Sequence, residues 1–101
     1  MDNEYKLLKI LKDNPEKTQR QLSKELGLSL GKTNYLVRAL MGKGWVKLTN
    51  FRRSNNKLGY LYVLTPKGIE KKSVLTKKFL ERKSIEYNKL KEEIEILKSE
   101  L

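Results

Sequence analysis

Thr65 and Pro66 open a run of more than thirty residues in which Gly68 is the last glycine and no further proline occurs. A threonine hydroxyl caps a helix N-terminus and proline is tolerated in the first turn, so this segment reads as one helix running to the end of the sequence. That is far longer than the globular average of about 11–12 residues, and such a helix needs a partner for its apolar positions. From Leu80 onward a heptad fits, with Leu80, Tyr87, Ile94 and Leu101 at a, and Lys83, Leu90 and Leu97 at d. Glu86, Glu93 and Glu100 fall at g, and Lys91 and Lys98 at e. In a parallel pair g faces the following e of the partner, so Glu86 meets Lys91 and Glu93 meets Lys98; antiparallel pairing sets acids against acids. Leu80, Tyr87, Leu90, Ile94, Leu97 and Leu101 are therefore the expected dimerisation residues. Two points stay open on the sequence alone. Lys83 at d leaves room for a helix that folds back on its own front domain, and exposed charge pairs are too weak to fix the orientation of a pair.

The preceding residues are punctuated more often. Residues 4–12 place Leu7, Leu8 and Leu11 on one helical face and Lys6, Lys9 and Lys12 around the other, and Asp13-Asn14-Pro15 stops that helix. Thr18 with Gln21 fits a capping box that opens a second helix carrying Leu22 and Leu26 inward. Gly27 supplies the positive φ that ends it, and Ser29 caps a third helix over residues 30–43. Thr33, Leu36, Val37 and Leu40 share the buried side of this third helix; Gly31, Lys32, Asn34, Tyr35 and Arg38 share the other. Gly42 and Gly44 break it. Residues 45–49 and 59–64 then carry the aromatic and β-branched content of strands, joined by a basic tip over residues 51–58 in which Asn55-Asn56 suits a turn.

The expected fold class is mainly α with a small β-hairpin: a winged helix-turn-helix domain over residues 1–65, followed by a long C-terminal coiled-coil helix over 66–101 that dimerises. A front domain of about 65 residues buries only about 60% of its unfolded surface, so self-association adds burial it lacks.

Charge points to the ligand class. Between Glu25 and Glu70 there is no acidic residue, while Lys32, Arg38, Lys43, Lys47, Arg52, Arg53, Lys57 and Lys67 all fall there. The formal net charge is +11 and the sequence pI is near 9.9, which favours a polyanion, either nucleic acid or an anionic membrane surface. No apolar run of about 18 residues exists to span a bilayer, and the Met1-Asp2-Asn3-Glu4 start lacks the basic and apolar regions of a signal peptide. A cytoplasmic, nucleoid-associated protein without a membrane partner is expected.

The chain has no cysteine and no histidine, which removes disulfides, zinc knuckles, thiol nucleophiles and most general-base and metal-ligand schemes. Its carboxylates have no matched base, nucleophile or metal cluster, so no catalytic residue, metal or cofactor is expected. Gly27-Leu28-Ser29-Leu30-Gly31-Lys32-Thr33 looks like a phosphate-binding loop but is one residue short and follows a helix rather than a strand. Its glycines suit a helix-turn-helix turn and a helix that approaches a ligand closely.

A helix in the major groove needs short polar or planar side chains toward its N-terminal half, flanked by cations for phosphates. Asn34 can pair bidentately with adenine, and Lys32 reaches guanine or phosphate. Tyr35 either contacts a thymine methyl or packs on the hairpin, and Arg38 one turn on clamps phosphate. Arg52, Arg53, Asn55, Asn56 and Lys57 at the hairpin tip suit the adjacent minor groove. Trp45, Tyr60 and Tyr62 fit core and hairpin support better than a stacking platform for single strands.

Leu22-Ser23-Lys24-Glu25-Leu26-Gly27-Leu28-Ser29, then Leu36, Leu40 and Lys43-Gly44-Trp45-Val46, is similar to the winged helix-turn-helix of MarR-type transcription regulators. Ser29-Leu30-Gly31-Lys32, Asn34-Tyr35, Asn50-Phe51, Leu64-Thr65-Pro66-Lys67-Gly68-Ile69 and residues 79–83 resemble the subgroup called EPS-associated MarR family regulators. The resemblance implies sequence-specific binding of double-stranded DNA as a homodimer, with Ser29, Gly31, Lys32, Asn34, Tyr35 and Arg38 facing the major groove. Thr33 departs from the usual aliphatic residue, which is expected to weaken packing. The long N-terminal dimerisation helix of larger members is missing, so their ligand pocket is not carried over and no small-molecule effector is expected. The alternative reading is an architectural chromatin or nucleoid protein that coats DNA with little sequence preference.

Overall fold

In the computed structural model of the chain, residues 2–52 and 58–101 are described. Helix α1 spans Asn3–Asp13, α2 Gln19–Leu26 and α3 Leu30–Gly42; strands β1 (Val46–Arg52) and β2 (Leu58–Leu64) follow, and α4 covers Pro66–Ser99.

The helix boundaries follow from side chains that satisfy orphan backbone groups. Asp2 accepts from Tyr5 N at 2.8 Å to start α1. Both halves of the capping box form at α2: Gln21 N donates to Thr18 Oγ1 at 3.2 Å, and Thr18 N donates to Gln21 Oε1 at 2.8 Å. Gly27 ends α2 in the left-handed conformation, φ 67°. Ser29 Oγ accepts from Lys32 N at 3.2 Å to open α3, and Thr65 Oγ1 accepts from Gly68 N at 3.0 Å to open α4.

The strands pair antiparallel with Val46 opposite Leu64, Leu48 opposite Tyr62 and Arg52 opposite Leu58. A two-stranded sheet is marginal in water, so it depends on what it packs against. Here Val46 belongs to the buried core, and Trp45, Tyr62 and Leu64 lie against it.

That core gathers Tyr5, Leu7, Leu8 and Leu11 of α1, Leu22 and Leu26 of α2, Val37 and Leu40 of α3, and Leu75 and Phe79 of α4. Tyr5 and Phe79 meet edge to face with centroids 5.1 Å apart. The packed unit therefore includes the first part of α4, beyond the boundary at residue 65 expected from the sequence. The heptad marks only the distal half of this helix, while Leu75 and Phe79 serve the front domain.

Thr33 is fully buried, and its hydroxyl donates to Ser29 O at 2.9 Å. The polar group that stands in an apolar position is thus satisfied within its own helix, which removes most of the expected packing penalty. Ser29 O also accepts from Thr33 N at 3.0 Å. Thr33→Val leaves that carbonyl with its backbone donor and preserves shape, so unfolding in denaturant should shift stability by less than about 1 kcal/mol.

Beyond Phe79 the character of α4 changes. Every residue from 80 to 101 is exposed, so the helix projects from the domain and does not fold back on it, which settles the alternative that Lys83 leaves open. A helix of 34 residues is about 51 Å long at about 1.5 Å per residue, and it dominates the 67 × 25 × 25 Å envelope. The exposed residues include Leu80, Tyr87, Leu90, Ile94, Leu97 and Leu101, the full apolar part of the heptad. Charge is distributed unevenly along this segment: residues 66–83 hold Lys67, Lys71, Lys72, Lys77, Lys78, Arg82 and Lys83 against Glu70 and Glu81, and residues 84–101 hold Glu86, Glu92, Glu93, Glu95 and Glu100 against Lys89, Lys91 and Lys98.

Candidate nucleic-acid interface

The helix-turn-helix is fixed by the Gly27 turn and the Ser29 cap, which set α3 against α2 with Val37 and Leu40 inward. Its outer face follows from the same phase. Lys32, Tyr35 and Arg38 are all exposed, and Tyr35 at 78% exposure does not pack on the hairpin. Gly31 sits on the same face, and a Cβ added there would meet, beyond its own turn of helix, no atom of the described residues within 4 Å. Nothing internal requires glycine at this position, in keeping with a backbone that something else must approach. Ser29, also exposed, serves the cap through its hydroxyl.

Asn34 behaves differently from its neighbours. It is half-buried, and its Oδ1 accepts from Gln19 Nε2 at 3.1 Å. The same Gln19 nitrogen donates to the Tyr62 hydroxyl at 3.0 Å, so one carboxamide at the start of α2 ties α3 to β2. Between α3 and the sheet lies a groove of about 430 Å³ lined by Asn34, Val37, Arg38, Met41, Leu48 and Tyr62. Arg38 and the Asn34 amide form part of its polar wall, and Val37, Met41 and Leu48 its apolar wall.

The electrostatics are those of a cationic face with one exception. Among the described residues the ion pairs are Lys17–Glu25, Lys43–Glu4, Lys83–Glu86 and Lys98–Glu95, and none involves Lys32 or Arg38. Lys43 is the exception: its Nζ lies 2.6 Å from Glu4 of α1 and 4.6 Å from the Trp45 ring centroid. An acid distant in sequence comes back in space, so Lys43 locks α1 to the end of α3. Trp45 also lies under Lys71 at 5.2 Å, which supports its structural role.

Arg52 closes β1 opposite Leu58. Arg53, Asn55, Asn56 and Lys57, expected at the hairpin tip, lie outside the described residues. Gln19 is the site residue that sequence reading missed, because nothing distinguishes a glutamine just inside a helix cap from any other polar first-turn residue.

Residues 2–47 match the family model for winged helix-turn-helix DNA-binding. Among solved structures the chain is similar to the PcaV transcriptional regulator from Streptomyces coelicolor, in complex with its natural ligand, at 21% identity and a TM-score of 0.67 over 84% of this chain and 59% of that one. It is also similar to the transcriptional regulator SlyA, at 14% identity and a TM-score of 0.65 over 84% of this chain and 58% of that one. FabT of Streptococcus pneumoniae, in complex with DNA, aligns at 24% identity and a TM-score of 0.58 over 82% of this chain and 58% of that one. The chain thus spans about three-fifths of the length of these structures. No curated protein matches it. The three helices and the two-stranded hairpin have the winged helix-turn-helix fold, and the family model matches its helical part and the start of β1. With the projecting α4 added, the chain shares its overall fold with these three structures.

Proposed function

We propose that this chain is a MarR-type transcriptional regulator that binds double-stranded DNA sequence-specifically as a homodimer in the cytoplasm. In this reading α3 lies in the major groove, the basic segment that includes Arg52, Arg53, Asn55, Asn56 and Lys57 follows the adjacent minor groove, and the distal half of α4 joins two copies. The observation that carries it is the outer face of α3: Lys32, Tyr35 and Arg38 exposed together, unpaired by any acid among the described residues, beside a glycine that no internal contact requires. The unpartnered heptad supports the pairing of copies, and two-fold DNA sites mirror two-fold proteins.

The test is affinity against sequence and salt. Arg38→Ala should weaken binding to every duplex alike and reduce the salt slope by about 1, as expected for a lost phosphate contact. Asn34→Ala should cost about 1–3 kcal/mol on the preferred site and relax preference at one base pair. If the unaltered protein binds random and selected duplexes equally tightly, the role is architectural coating instead. If it ignores duplex DNA even in dilute buffer, the assignment of α3 is wrong.

A further inference from the structure

We propose that Gln19 is a specificity-determining positioning residue: by holding the Asn34 oxygen it turns the Asn34 amide into an outward donor that selects guanine in the major groove. The inference rests on the DNA-binding reading above and adds to it a residue of α2 and a base identity.

An asparagine carboxamide has two ends of nearly equal size, one an acceptor and one a donor, and only its partners decide which end faces a ligand. Gln19 Nε2 is a donor and lies 3.1 Å from Asn34 Oδ1, so the oxygen faces into the protein and the Nδ2 hydrogens are left for the outside. The second Gln19 hydrogen goes to the Tyr62 hydroxyl at 3.0 Å, so that oxygen acts as acceptor toward Gln19 and its own proton points elsewhere. All three groups are half-buried, which limits competition by water. Arg38 lines the same groove as Asn34 and Tyr62 and is donor-only.

The resulting surface offers donors and is poor in acceptors. Guanine presents two major-groove acceptors, O6 and N7, to such a surface, whereas adenine pairs N7 with an N6 amino donor and cytosine presents N4 as donor. The geometry therefore favours guanine over the bidentate adenine contact that Asn34 would make with its oxygen free.

The network can be reversed chemically. Gln19→Glu places a carboxylate, an acceptor only, where the donor was, so Asn34 must turn Nδ2 inward and Tyr62 must donate its proton; Asn34 Oδ1 then faces the DNA. Selection from a random duplex pool at fixed salt, on the unaltered protein and on the Gln19→Glu, Gln19→Ala and Asn34→Ala variants, reads the outcome. Expected are a guanine preference of about tenfold at one position for the unaltered protein, and its loss in Asn34→Ala. Gln19→Ala should reduce it to less than about threefold, and Gln19→Glu should change the preferred base to adenine or cytosine at that position. The charge that Gln19→Glu introduces also weakens binding to all sequences, an effect separable because it is uniform.

The proposal is overturned if Gln19→Glu keeps the same preferred base, or if both Gln19 variants retain a preference that Asn34→Ala loses. In those cases DNA binding by α3 stands and only the role of Gln19 fails. A protein that binds no duplex overturns both. Folding of the variants is checked by circular dichroism, and the free protein supplies a second readout: the Gln19 side-chain NH₂ should exchange slowly with solvent and lose that protection in Asn34→Ala. Rapid exchange in the unaltered protein sinks the proposal without reference to DNA.

Discussion

Gly68→Ala should lower the thermal unfolding midpoint by about 10 °C or more, the opposite of what the same change does in an exposed helix. Alanine gains about 1 kcal/mol over glycine in helix propensity. Against that, a Cβ at residue 68 would fall well inside van der Waals contact with the Trp45 carbonyl oxygen and 2.8 Å from its carbon. Both are backbone atoms, so no rotamer change relieves the overlap, and overpacking of this kind costs up to about 3 kcal/mol or beyond. The same carbonyl accepts from Thr65 N at 3.0 Å, so pushing it aside also disturbs the start of α4. Steric cost wins, and at about 4–8 °C per kcal/mol for a domain of this size the shift is large. A midpoint equal to or above that of the unaltered protein would mean that α4 does not approach the end of α3 this closely.

The second large effect is expected at the distal half of α4. Replacing Leu90 and Leu97 together with lysine should yield a monomer by sedimentation equilibrium and weaken DNA binding by about a hundredfold or more, since two linked half-site contacts become one. Both leucines are majority-exposed in the single chain, at 56% and 62%, so their substitution costs the front domain nothing directly. Far-UV circular dichroism should fall as well. An isolated helical extension without tertiary partners is marginal in water, and among the described residues the side-chain pairs beyond Leu80 are the local ones Lys83–Glu86 and Lys98–Glu95. A double variant that remains dimeric would place the interface elsewhere and remove the heptad from the proposal.

The contrast between these two sites shows what the sequence makes readable. The Thr18–Gln21 box, the Gly27 turn and the Ser29 and Thr65 caps all rest on contacts within a few residues, so local chemistry alone defines the helices and their order. The heptad is equally plain, because it repeats along one element. What stays hidden is contact through space. Gly68 looks like a mild defect in a helix start until Trp45 is set above it. Lys43 reads as one more cation in an acid-free stretch until Glu4 arrives from α1. Asn34 stands out as a base-reading residue, but its orientation depends on Gln19 and Tyr62, which flank it at a distance in the chain. Each of these three contacts joins elements far apart in sequence, and no periodicity announces them.

The uneven charge of α4 has a kinetic consequence. A body 67 Å long that gathers its cations at the winged end and five glutamates against three lysines in residues 84–101 carries an electric dipole along its long axis. In the field of a polyanion such a body experiences a torque before any contact forms, turning its winged end forward and the acidic shaft away. Orientation during diffusion raises the fraction of collisions that are productive, and the advantage fades as added salt shortens the Debye length to about 8 Å or less.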